Sequence, residues 1–117
     1  RMTRAIWQPL AIKAAAAAAL VRIGDPRGEP GLRRILLALR SDARGYAAQM
    51  VGERGLAALA PAVAKLAARP RGADPVVVAE ALAKLAGVSS EALGALEGMA
   101  KRTDEVGERA RELLSEL

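Results

Sequence analysis

The chain has no cysteine, no histidine, no asparagine and no phenylalanine, and only one tryptophan and one tyrosine. Without cysteine or histidine it can form no disulfide, no zinc-finger ligand set, no thiol nucleophile and no Ser-His pair. Four serines and two threonines leave few hydroxyl groups. There is no clustered aspartate pattern of the calcium-loop kind, no GxxxxGK[ST] phosphate loop and no GxGxxG after a strand. The pairs Glu105/Glu108 and Glu112/Glu116 stand at helical spacing on a terminal helix. A solvated end helix does not push two carboxyl pKa values apart as acid-base work requires. These gaps point away from an enzyme, and no cofactor or metal is expected. Long apolar runs are missing too. The longest, Ala14–Val21, has eight residues between Lys13 and Arg22, against about 20 for a membrane-spanning helix. No segment reads as a signal peptide. The lack of cysteine fits a reducing compartment, so a cytoplasmic location is the expectation.

What remains is a helix-forming composition. Of 117 residues 28 are alanine, the best helix former, while the aromatic and β-branched content of a sheet protein is low. The length suits one domain. Charge is unevenly spread. Residues 1–72 carry 13 Lys/Arg against 4 Asp/Glu, a net +9, and residues 73–117 carry 5 against 9, a net −4. Such asymmetry points either to an acidic partner for the first half or to an ordinary solvated surface.

The strongest signal is a period. Leu20, Val51, Leu82 and Leu114 anchor similar segments spaced 31, 31 and 32 residues apart, which is the mark of stacked helical units. Thr3–Trp7 reads as a helix remnant and Leu10–Ile23 as an Ala-rich helix stopped by Gly24-Asp25-Pro26. Three pairs follow: Glu29–Arg40 with Ala43–Arg54, Leu56–Arg69 with Val76–Ala86, and a helix from Ser89-Ser90 with Glu105–Leu117. Within each pair we call the first helix A and the second B. Asp42, Asp74 and Asp104 are the expected N-caps of the B helices. Pro61 either starts its helix near Ala60 or kinks it. Leu32, Ile35, Leu36 and Leu39, then Leu59, Val63 and Leu66, then Leu93, Leu96 and Met99 form the A-helix stripes, and Ala47, Met50 and Val51 face inward from the first B helix. This divides residues 1–117 into a partial unit (1–23), repeat 1 (about 24–54), repeat 2 (about 55–86) and repeat 3 (about 87–117). Arg1-Met2 is compatible with an excised part of a longer native chain.

The segment Ala18-Ala19-Leu20-Val21-Arg22-Ile23-Gly24-Asp25-Pro26 resembles the closing signature of HEAT repeats in their short, phycobilisome-lyase-type form. The resemblance spans about Pro9 to Leu117 and implies an all-α fold: a right-handed α-solenoid of about three to four antiparallel helix pairs. It depends on apolar residues at Ile23, Leu85 and Leu117, where Arg54 departs from the pattern. Gly52-Glu53-Arg54-Gly55 replaces the usual Gly-Asp-Pro, which predicts a different bend between units one and two. The resemblance places the B helices on a concave face, with Arg44, Gln49, Glu80, Lys84, Glu108 and Arg109 near the groove.

The expected role is that of a non-catalytic scaffold binding another protein through the groove or a basic edge. The edge is made of the turns within pairs: Arg40 and Arg44, Arg69 and Arg71, Lys101 and Arg102. Each of these groups also suits the end of a helix, where a cation offsets the dipole by about 0.3–1 kcal/mol. Arg27 and Arg33-Arg34 either extend the patch or form an exposed helix face. Tyr46 and Trp7 are either packing residues or contact points. Two alternatives stay open: nucleic-acid binding along the basic turns, which lack aromatic residues to stack bases, and a lyase or accessory subunit acting on a linear tetrapyrrole. Self-association through the N-terminal unit is a further expectation, and no membrane partner is.

Overall fold

A computed structural model describes residues 12–13, 15–37, 43–70 and 72–117. Trp7, Arg40, Asp42 and Arg71 therefore lie outside the described residues. Among those described, the chain is all-helical with no strand. Helix α1 covers residues 12–13 and 15–22. It is followed by α2 (Gly28–Leu36), α3 (Ala43–Arg54), a single 3-10 turn (Ala57–Leu59), α4 (Ala60–Ala68), α5 (Pro75–Leu85), α6 (Ser90–Met99) and α7 (Glu105–Ser115).

The helix starts follow local chemistry. Asp74 caps α5 by accepting from the Val76 N–H at 2.9 Å, and Pro75 occupies the first helical position, where its missing N–H costs nothing. Ser89 accepts from the Ala92 N–H at 3.2 Å, and Asp104 from the Gly107 N–H at 3.2 Å. Pro61 does not kink a helix: α4 begins at Ala60, so Pro61 falls in its first turn. The ends of α1 and α3 close alike. Gly24 (φ 78°) and Gly55 (φ 61°) adopt the left-handed conformation that glycine tolerates. Asp25 N–H donates to the Leu20 carbonyl and Gly24 N–H to Val21, as Leu56 N–H does to Val51 and Gly55 N–H to Gly52. This paired 6→1 and 5→2 pattern is the Schellman motif. Despite their different sequences, Gly24-Asp25-Pro26 and Gly52-Glu53-Arg54-Gly55 therefore end their helices in the same way. At the residue before each glycine, Ile23 is 77% exposed and Arg54 is exposed as well, so Arg54 needs no special accommodation. Leu117 is also exposed, and of the four positions only Leu85 is in the core.

Packing sorts the helices into two layers. Helix α5 packs on α3 and α7, and α4 packs on α2 and α6, while α2 meets α3, α4 meets α5 and α6 meets α7. The Cα envelope of 36 × 35 × 17 Å is thin enough for two layers of helices packed about 8–10 Å apart. Its radius of gyration, 13.7 Å, is close to the roughly 13 Å of a compact chain of this length. Helices α3 and α5 run side by side in the same direction: Gly45 lies against the Ala73–Asp74 backbone and Gly52 against Ala81. A Cβ on Gly52 would stand 2.9 Å from the Ala81 Cα, so the absence of a side chain there allows the close approach.

The buried side chains form one continuous core from Ala17 to Leu113. Its periodicity is sharper than the anchors suggest. Ala17, Ala48, Ala79 and Ala110 are all buried and fall 31 residues apart, as do Val51, Leu82 and Leu113. Leu113, not Leu114, continues the register, and Leu114 is half-buried against the core, while Leu20 is half-buried. On the A helices Gly28, Leu32 and Ile35 recur as Leu59, Val63 and Leu66 after 31 residues, then as Ala92, Leu96 and Met99 after 33. The two extra residues fall in the connection after Leu85, where no left-handed glycine tightens the turn.

Candidate functional site

The exposed surface of α3, α5 and α7 forms an open groove of about 500 Å³. Its lining includes Gln49, Val77, Glu80, Lys84, Arg109 and Leu113. The lateral neighbours Gly52 and Ala81, and Glu80 and Arg109, stand 29 residues apart, which puts one turn of each helix at the same level. Arg109 Nη2 donates to Glu80 Oε2 at 3.2 Å, and its Nη1 lies 3.6 Å from Glu112. The pair ties α5 to α7 and fixes two opposite charges beside an apolar floor. Gln49 Nε2 donates to Glu53 Oε1 at 3.2 Å. Lys84 is exposed and makes no ion pair among the described residues. The groove thus combines an apolar floor, a fixed dipole, an available cation at Lys84 and the exposed carboxylate of Glu116.

Of the groove residues the HEAT-repeat resemblance points to, the structure brings Gln49, Glu80, Lys84 and Arg109 together. Glu108 is exposed but does not line the groove. Tyr46 is exposed on α3 and also stands outside the lining.

Arg44 is found elsewhere than expected. It is the largest fully buried side chain, at 0% exposure, and its Nε donates to the Leu36 carbonyl at 3.2 Å. Leu36 is the last residue of α2, whose final carbonyls have no partner within the helix. Arg44 therefore satisfies a helix end from inside and contributes nothing to a basic edge. Its positions one and two periods on hold Pro75 and Val106, so an Arg here spans into an interior that the other units fill with apolar groups.

Other cations of the presumed edge also serve the fold. Arg102 forms an ion pair with Asp104, and Arg27 does so with Asp25 at 2.7 Å. Hydrogen bonding from the Arg27 guanidinium, first, and from the Arg27 N–H holds the Asp25 carboxyl at about 2. The Arg102 guanidinium likewise lowers Asp104, helped by the Gly107 N–H, and each carboxylate raises its arginine in turn. Both carboxylates therefore stay ionised to lower pH than a free aspartate does. Arg111 Nη1 donates to the Ala100 carbonyl at 2.7 Å and to the Arg102 carbonyl at 2.9 Å, closing the end of α6 from α7. Arg69 and Lys101 are left exposed and without an ion pair among the described residues.

A second depression of about 480 Å³ lies between α2 and α4, and Arg69 borders it. Sequence reading centred on the turns overlooked this depression, although Ala62, Lys65, Leu66 and Arg69 recur at the i, i+3, i+4, i+7 spacing of one helix face. It also overlooked Val77 and Leu113 in the first groove. Among the described residues no group of acidic side chains is arranged to hold a metal, and no helix is long and apolar enough to cross a membrane. No protein-family model, no curated protein and no solved structure matches the chain.

Proposed function

We propose that this chain is a short, right-handed α-solenoid of antiparallel HEAT-like helix pairs that serves as a non-catalytic scaffold, binding a protein partner through the groove across α3, α5 and α7. The 31-residue core register, the two layers and the matching glycine caps after α1 and α3 support the repeat reading. The observation that carries the functional reading is the groove itself: three successive second helices share one surface with an apolar floor and the Glu80–Arg109 pair locked across it. A rigid surface of this kind lowers the ordering cost of binding. Mixed charge in the groove suits a protein better than a nucleic-acid backbone, which needs cations in excess. The burial of Arg44 and the pairing of Arg102 weaken the nucleic-acid alternative at the turns.

The test is a photo-crosslinking residue placed at Lys84 and, as a control, at Glu97 on the exposed side of α6. A discrete protein adduct from position 84 that is absent from position 97, and lost on Arg109→Glu, is the expected result. Equal labelling from both positions, or none from position 84, would contradict the reading.

A further inference from the structure

The depression between α2 and α4 joins apolar walls to positive charge. Leu36, Leu37, Ala62, Leu66 and Ala68 give it apolar walls. Its charged lining among the described residues is cationic only, Lys65 and Arg69. Both are exposed, and neither makes an ion pair among the described residues. Arg33 and Arg34 on α2 add exposed positive charge to the same layer, with Arg33 Nη2 reaching the Ala58 carbonyl just before α4 at 3.5 Å. Leu37, at the end of α2, is 58% exposed and offers apolar surface at the mouth. From Ala62 to Arg69 the lined face of α4 runs about two turns, roughly 10 Å at 1.5 Å per residue.

We propose that this depression is a second binding site, for an acidic amphipathic peptide segment of a partner protein. The apolar walls take a short stripe of Leu-type side chains, and Lys65 and Arg69 meet the carboxylates beside that stripe. A nucleic acid would satisfy the two cations but leave the walls uncovered, and a basic segment would be repelled. The site uses α2 and α4, neither of which lines the first groove, so it stands or falls apart from the scaffold reading above.

Fluorescence anisotropy with three labelled probes tests it: a 12-residue peptide with Leu at i, i+3, i+4 and i+7 and Glu elsewhere, the same peptide with Lys in place of Glu, and a single-stranded oligonucleotide. The Glu peptide should bind, and the Lys peptide and oligonucleotide should bind at least about tenfold more weakly. Lys65→Glu with Arg69→Glu should weaken the Glu peptide by about tenfold or more, as should Leu37→Glu, a change at an exposed side chain. Arg54→Glu, an exposed charge reversal at the end of α3 outside both linings, should leave it unchanged. No binding of the Glu peptide, equal binding of the Lys peptide, preference for the oligonucleotide, or indifference to the Lys65/Arg69 reversal would each overturn the proposal.

Discussion

Arg44→Ala should lower the unfolding free energy by about 2–4 kcal/mol, the range for truncating a large buried side chain and stranding an interior hydrogen-bonding group. The side chain is wholly buried, and its Nε serves the Leu36 carbonyl at the end of α2. Truncation removes that donor and opens a cavity beside the core. Arg44→Met separates the two effects. It refills most of the volume but still leaves the Leu36 carbonyl without this donor, so only the cavity part of the loss is recovered. Urea unfolding should therefore rank wild type above Arg44→Met and Arg44→Met above Arg44→Ala. If Arg44→Ala unfolds like wild type, the side chain is at the surface and the reading of the basic turns must be restored.

Gly107→Ala should destabilise by about 2–3 kcal/mol, the cost of forcing atoms into a filled site. A Cβ at this position would collide with the Arg102 carbonyl. That carbonyl accepts from Arg111, and the Gly107 N–H donates to the Asp104 cap. Making room for one methyl group thus loosens the whole turn from α6 to α7. The same substitution at Gly94, in the interior of α6 with nothing within 4 Å of its Cβ position, should stabilise by about 0.5–1 kcal/mol through helix propensity. Opposite signs for one chemical change, read from thermal unfolding, are the expected outcome. Two changes of the same sign would show that the turn is not packed as described.

Local signals carried most of the secondary structure. Asp74-Pro75, Ser89 and Asp104 announced helix starts because capping depends on a few adjacent residues. The span of α3 agrees with the expected Ala43–Arg54, and α4 starts at Ala60, one of the two alternatives that Pro61 left open. Tertiary register was not. Leu113 and Leu114 are equally apolar, and only packing against α5 decides that Leu113 is the one buried. Arg44 was read as a surface cation because arginine usually is one, yet its equivalence to Pro75 and Val106 hinted at an interior position. The pairing of Arg102 with Asp104 was within reach too: it repeats, in reverse order, the two-residue spacing of Asp25 and Arg27. The depression between α2 and α4 depends on how two helices splay, and one sequence does not encode that in any local pattern.

The most direct check is a nuclear Overhauser measurement between the Gly52 Hα protons and the Ala81 methyl group. Side-by-side stacking of α3 on α5 underlies the shared core, the first groove and the repeat reading alike, and the Cβ direction of Gly52 points to within 3.2 Å of the Ala81 Cβ. A strong cross-peak, accompanied by one between Gly31 and the Ala17 methyl group in the neighbouring pair of helices, is the predicted result. Its absence from a spectrum in which both residues are assigned, with Ala81 in contact with another part of the chain, would contradict the architecture.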